Sequence, residues 1–300
     1  MSNPDTAISD DNIAAVLSMC MYENLRGSNL LMTHLRGLRQ MVDMRGGINN
    51  LPADQGQHLS ENIVLQDLIH ATCSNVPPFL IDIYGPILRD VRGIGTEPFY
   101  PQSPLRVIDT ANFDGLDPQL QSSFQVLKDA FDGLEMLCIE AFDPDTAADE
   151  AAAFKIRRDA FWTRLQQSEK RDDTDEVPGA LEKRVEEAVR LAATIHFRAV
   201  ALRIQHGDEA NATTIKRLHM LVRKIDRTFW KIAPYTYLWI QLNGGAASHN
   251  HPEYRPYFVS EIMRLGLSVG LYDWRPFRQT LASFLWLQQY LRRHKTAPMT

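Results

Sequence analysis

Apolar residues recur at intervals of three and four positions along most of this 300-residue chain, and this spacing constrains its fold more than any other feature. Such intervals place apolar side chains on one face of an α-helix, whereas a half-buried β-strand alternates at every second residue. The first stripe comprises Ile13, Val16, Leu17, Cys20, Met21 and Leu25. No segment shows convincing alternation, and no repeat of fixed length occurs. The pattern predicts an all-α protein, an irregular multi-helix bundle of about eight to ten helices.

The second apolar stripe runs from Leu31 to Val42, and the glycines inside and after it predict how this helix packs and where it ends. The pair Gly46-Gly47 follows it, and a glycine there can adopt the left-handed conformation that ends a helix. Gly37 lies inside the helix, where it costs about 1 kcal/mol relative to alanine. We therefore expect a second helix to cross closely at Gly37. Asp10 or Asp11 is expected to cap the preceding helix, and Gly27 to end it.

His34 belongs to the same apolar stripe, three residues after Leu31 and four before Leu38. One interpretation is a buried neutral histidine that bonds to a backbone carbonyl or a side chain, because buried polar groups are normally paired. The other is a contact to a ligand or a catalytic base, since the charge of histidine changes near neutral pH. Both alternatives stay open at this point.

The chain is expected to form one helical domain spanning residues 1–300. Within it, residues 1–10 are predicted to be a flexible N-terminus and residues 294–300 a flexible tail. Residues 92–115 are rich in proline and glycine and predict an irregular connection. Residues 168–177, SEKRDDTDEV, predict a solvated charged loop.

Composition narrows the classes of function that the chain can serve. The formal net charge is -5, so no overall basic field attracts a phosphate backbone. Cys20, Cys73 and Cys138 are widely spaced without a CxxC motif, which argues against a disulfide framework or a four-thiolate zinc site. Buried, reduced thiols are the simplest interpretation. The longest apolar run, YTYLWIQL, is far shorter than the roughly 20 residues that span a bilayer. An intracellular, soluble protein is expected.

The sequence lacks the common motifs of catalysis and cofactor binding. The sequence has no glycine-rich phosphate loop, no GxSxG and no HExxH. His249 and His251 offer two imidazoles, which rarely suffice for a metal. We therefore predict a protein that is not an enzyme and that has no metal or cofactor.

Aromatic residues are concentrated in the last quarter of the chain. A large helical core explains this concentration most simply, because aromatic side chains dominate cores. The alternative is an apolar pocket between helices with a few polar groups at its rim. For such a pocket we predict a wall of Trp239, Phe258 and Trp274, with Trp286 in the core.

Four segments resemble a known family in the same order along the chain. They are HLRGLRQMVDMRGGINNL at 34–51, EAVRLAATIHF at 187–197, FWKIAPYTYLWIQLNGGAAS at 229–248 and RPYFVSEIMRLGLSVGLYDWRPFRQTLASFLW at 255–286. Together they resemble the fungal-specific transcription factor domain, the class that includes sterol-responsive regulators, over about residues 11–286. Members of that family usually begin with a binuclear zinc cluster of six cysteines and a basic linker, and this sequence shows neither. The resemblance therefore does not imply that this chain binds DNA directly.

The resemblance implies a regulatory domain that controls gene expression by binding a small apolar ligand or a partner protein. We assign Trp239, Phe258, Trp274 and His34 as candidate ligand contacts. A homodimer or a complex with a partner regulator is expected, in the nucleus or in the cytoplasm with nuclear entry. One rival is a helical enzyme or carrier for an apolar metabolite, with His34, His70, His196 or His219 as candidate bases. A third hypothesis is an inert scaffold that dimerises with a full-length regulator.

Overall fold

A computed structural model describes residues 7–51, 53–84, 129–130, 133–134, 148–167, 180–270 and 274–293. Nine α-helices can be delimited within these residues: α1 Asp10–Arg26, α2 Leu31–Met44, α3 Ala53–Ser74, α4 Ala148–Gln167, α5 Ala180–Ala201, α6 Ala212–Val222, α7 Pro234–Ala247, α8 Arg255–Leu265 and α9 Trp274–Arg293. No strand occurs in the described ranges. The prediction of an all-α, multi-helix fold is confirmed.

Helix α1 ends at Gly27 as predicted, but it begins at Asp10, whereas a cap at Asp10 would place its first residue at position 11. Gly27 takes φ +65°, and its N–H donates to the carbonyl of Asn24. The N-cap is Ser9, whose hydroxyl accepts the N–H of Asn12 at 3.4 Å. The prediction of Asp10 or Asp11 as the cap was wrong, because Ser9 has the extended backbone that a cap requires and both aspartates already lie in the first turn.

The end of α2 confirms the role predicted for its two glycines. Gly46 and Gly47 have φ values of +83° and +108°. Their N–H groups donate to the carbonyls of Asp43 and Val42, both at 2.9 Å, which is the six-to-one and five-to-two pattern of a Schellman ending. Arg45 then pairs with the Asp10 carboxylate at 2.9 Å, which connects the end of α2 to the start of α1.

The close crossing expected at Gly37 is absent, and that prediction was wrong. A Cβ built on Gly37 would meet no atom within 4 Å. Tight approaches occur instead at the end of α7, where a Cβ on Gly244 would lie closer than 3.0 Å to the Phe258 ring. A Cβ on Gly245 would lie 2.8 Å from Sγ of Cys73. Helix α7 therefore packs closely against α8 and α3 at this end.

Helix α7 is the central element of the fold. Every residue from Tyr235 to Ala247 is buried, and the helix contacts α3, α5, α6, α8 and α9. The main hydrophobic core draws buried side chains from all nine helices. Cys20 and Cys73 are free and buried, and Cys138 lies outside the described residues.

Several predicted segments also lie outside the described residues. These are residues 1–6 of the predicted N-terminus, together with 92–115, 168–177 and 294–300. The single-domain organisation stays a prediction.

A buried carboxylate connects α8 to α7 and to the turn after α6. Glu261 is 1% exposed. It accepts the Tyr237 hydroxyl at 2.9 Å, and its oxygens pair with Arg227 at 2.8 Å and Arg264 at 2.9 Å. Its charge is therefore satisfied by three donors, as a buried carboxylate requires.

We expect Glu261→Gln to lower the free energy of unfolding by about 1–3 kcal/mol, because the amide keeps the size but loses the charge-assisted bonds. Chemical denaturation measures this change. Glu253→Gln is the matched control, since Glu253 is exposed and a surface substitution of this kind stays within about 0.5 kcal/mol. Equal values for the two variants would show that the buried network contributes nothing beyond a surface charge.

Candidate ligand-binding site

A cavity of about 410 Å³ lies where α1 and α3 end and α8 begins. This volume is within the range of small-molecule sites, roughly 300–1,000 Å³. Its lining consists of Arg26, Gly27, Ser28, Asn29, Leu31, Met32, His70, Ser74, Val76, Pro77, His249, Pro252 and Arg255. The wall therefore combines apolar side chains with a group of hydrogen-bonding and basic side chains.

Arg255, the first residue of α8, forms the floor of the polar part and is 4% exposed. Its Nη1 donates to the carbonyl of Cys73 at 2.5 Å, and its Nη2 donates to Oδ1 of Asn24 at 3.2 Å and Oγ of Ser74 at 3.1 Å. Its Nε donates to the Asn24 carbonyl at 3.4 Å. Asn24 and Cys73 lie in the last turns of α1 and α3, whose negative dipole ends stabilise a cation. No carboxylate of the described residues pairs with Arg255.

His70 and Ser74 stand one helical turn apart on α3 beside Arg255. Nδ1 of His70 lies 3.2 Å from Oγ of Ser74. Because the guanidinium can only donate, the Ser74 oxygen accepts from Arg255, and its own proton is free to go to Nδ1. The imidazole then carries its proton on Nε2. Burial, the charge of Arg255 and the charge of His249 lower the pKa of His70 to about 4, so the ring is neutral near pH 7.

The ligand contacts predicted from the sequence do not line this cavity. Trp239 and Phe258 are both 0% exposed and belong to the core. His34 is partly exposed on α2. Trp274 begins α9, but its side chain lies outside the described residues. A ligand contact by any of the four stays a prediction. Trp286, which was predicted to lie in the core, is partly buried and packs against it.

Sequence reasoning missed Arg255 as a site residue, although the sequence contains a signal for it. A basic residue in the first turn of a helix faces the positive end of the helix dipole, which is locally unfavourable. Local conflicts of this kind mark positions where tertiary contacts or function decide the residue. For Arg255, the carbonyls of Asn24 and Cys73 at the C-terminal ends of α1 and α3 accept its N–H groups and offset this unfavourable position.

The rival enzyme hypothesis required a histidine that pairs with a carboxylate and opens into a pocket. His196 is 0% exposed, and His219 packs against Tyr254 with ring centroids 5.0 Å apart. His70 does reach the cavity, but its partner is a hydroxyl. His251 lies 4.0 Å from the Glu253 carboxylate, outside the lining. Among the histidines whose side chains the structure describes, none meets the requirement.

In the part of the chain that the structure describes, no three His, Cys, Asp or Glu side chains converge in a way that would hold a metal ion. Of the helices described here, none combines the length and the apolar character that a bilayer crossing demands.

Comparison with known proteins identifies one family. The model of the fungal-specific transcription factor domain matches residues 1–282 of the chain, which include the cavity and eight complete helices. No curated protein and no solved structure matches the chain significantly.

Proposed function

We propose a regulatory role for this chain, which belongs to the fungal-specific transcription factor domain family. In this proposal the chain is the sensing part of a fungal transcription regulator, and it responds to a small molecule bound in the cavity between α1, α3 and α8. The observation that carries the proposal is the cavity itself, whose walls come from helix ends far apart in the sequence.

A ligand in this position contacts the elements that a regulatory change would have to move. Arg255 connects the ends of α1 and α3 to the start of α8 through four hydrogen bonds. A molecule that prefers one arrangement of these three helices shifts the population toward it. The apolar part of the lining supports the expected apolar character of the ligand through Leu31, Met32, Val76, Pro77 and Pro252.

Three further expectations belong to the same proposal. The family supports a location in the nucleus, or in the cytoplasm with nuclear entry. A homodimer or a complex with a partner regulator is how such a domain would transmit its state. A catalytic role is disfavoured, since a base with a pKa of about 4, as at His70, is poorly matched to proton transfer at neutral pH.

We expect Asn29→Trp to change the transcriptional output by about fivefold or more, because the indole would occupy the cavity in place of a ligand. Asn29 is exposed and lines the cavity. The experiment fuses the whole chain to an unrelated DNA-binding domain in yeast and measures a reporter gene. Either direction of change supports the proposal, since the indole can mimic or exclude the ligand.

Asn49→Trp provides the matched control, because Asn49 is exposed and lies outside the lining. Thermal melts of both purified variants show that they fold. If two well-folded variants give the same reporter output as the parent chain, the cavity has no regulatory role.

A further inference from the structure

We infer that the cavity binds a small organic anion, with its carboxylate or phosphate group against Arg255 and its carbon skeleton against the apolar lining. The inference rests on the proposed function, since it names the chemical class of the ligand at the same site. It replaces a purely apolar ligand with one that has a charged end.

The charges of the lining residues have one sign. Arg26 and Arg255 are cationic, burial lowers the pKa values of His70 and His249 and so favours their neutral forms, and no aspartate or glutamate lines the cavity. Glu23 is buried one residue before Asn24, but it neither lines the cavity nor forms an ion pair with Arg255. A ligand carboxylate or phosphate would therefore meet no carboxylate in the lining.

The positive charge of Arg255 reaches the cavity despite the helix carbonyls around the guanidinium. Burial lowers the pKa values of His70 and His249, and the charge of Arg255 is the next cause in both. Two rings on different segments therefore sense the same cation. Such a field in a partly enclosed site favours an anion over a neutral molecule.

Hydrogen-bond donors are also available beyond those that the protein uses. The guanidinium has five N–H groups, and Arg255 makes four hydrogen bonds to the protein, only one of them from Nη1. The second N–H of Nη1 is therefore left for a ligand oxygen. The Nε2–H of His70, assigned from the Ser74 contact, is a second donor for which no partner occurs within the described ranges.

The apolar residues of the lining set a lower limit on the size of the ligand. Met32, Val76, Pro77 and Pro252 are partly or fully exposed and would stay in contact with water if only a phosphate or an acetate were bound. Burying such surface is worth about 25 cal/mol per Å². An anion with an aliphatic part therefore fits better than an inorganic ion.

Probes that share a six-carbon chain and differ in their head group test this inference on the full chain. Calorimetric titration compares sodium hexanoate, hexanamide and hexyl phosphate at constant ionic strength. We expect an anion to bind at least about tenfold more tightly than hexanamide, a difference of 1.4 kcal/mol. Preference for hexanoate or for hexyl phosphate identifies the natural ligand as a carboxylate or a phosphate ester.

Two variants assign the binding to this cavity. Arg26→Gln should weaken binding of the preferred anion several-fold and leave hexanamide unchanged, because Arg26 is exposed and lines the cavity. Arg36→Gln removes an equally exposed charge outside the lining and should change neither. Arg255→Lys keeps the positive charge but loses the planar guanidinium, whose paired N–H groups bind a carboxylate. It should therefore also weaken binding of the anion.

The outcomes separate this inference from the proposed function. Affinities of hexanoate and hexyl phosphate that are both no higher than that of hexanamide would overturn the anion inference while leaving a small-molecule sensor intact. No binding by either anion, or anion binding that Arg26→Gln and Arg255→Lys both leave unchanged in folded protein, would overturn it too. The reporter experiment with Asn29→Trp decides the proposed function by itself.

Discussion

Gly244→Ala is expected to lower the free energy of unfolding by about 3 kcal/mol, the largest effect of any single methyl group considered for this chain. The added Cβ would lie closer than 3.0 Å to three atoms of the Phe258 ring. Phe258 is 0% exposed, so the ring cannot swing into solvent. The strain must therefore be relieved by separating α7 from α8. Chemical denaturation at equilibrium measures the change.

Gly37→Ala is the control, and it should act in the opposite direction. No atom lies within 4 Å of a Cβ at Gly37, so alanine gains the helix propensity of about 1 kcal/mol without a clash. A second control is the double variant Gly244→Ala/Phe258→Leu, which removes ring atoms from the clash and should be less destabilised than the sum of its two single changes. A neutral Gly244→Ala would mean that α7 and α8 do not cross as closely as described.

These two glycines show what sequence can and cannot reveal about this fold. Apolar spacing and end signals are local, and they located α1, α2 and the all-α class without any knowledge of neighbours. Gly37 and Gly244 look alike in sequence, since each interrupts a helix that would be more stable with alanine. Only the path of the partner helix separates them, and that path depends on residues such as Phe258 that lie elsewhere in the chain.

The candidate site shows the same limit more strongly. If the aromatic residues of the last quarter formed a pocket, Trp239 and Phe258 were predicted to line its wall, and both side chains lie in the core around α7. The cavity is built from helix ends, and a helix end offers polar groups and turn residues rather than a stripe. Arg255, His70 and Ser28 come from three distant parts of the sequence. No spacing rule connects them before the fold brings them together.

Acidification from pH 7.5 to pH 5 is expected to lower the free energy of unfolding by about 5 kcal/mol, mainly through buried neutral histidines. Burial lowers the pKa of His206 to about 4. Burial and the charge of His206 lower the pKa of His196 to about 3. Both folded-state values lie below the ordinary 6.5, so the unfolded chain takes up protons first. The stability they contribute is complete above pH 6.5 and is lost as the pH falls toward the folded values.

The size of this loss follows from the ordinary pKa of histidine in the unfolded chain, which lies about 1.5 units above pH 5. Protonation of the unfolded chain at pH 5 therefore lowers the free energy of unfolding by about 2 kcal/mol for each buried histidine. His70 shifts in the same direction. Asp67 opposes them, because burial raises its pKa to about 6 and the folded protein binds a proton while the unfolded carboxyl stays ionised. That gain is about 1 kcal/mol at pH 5, and it leaves a net loss.

His206→Phe isolates one histidine, because phenylalanine keeps an aromatic ring against Phe284, whose centroid lies 5.1 Å away, and cannot titrate. The loss between pH 7.5 and pH 5 should shrink by about 2 kcal/mol in this variant. Phe284→Leu disturbs the same contact without removing a titrating group, so it should lower stability equally at both pH values. Denaturation curves for the three proteins at the two pH values give the comparison. An acid loss in His206→Phe as large as in the parent chain would place the proton uptake elsewhere in the molecule.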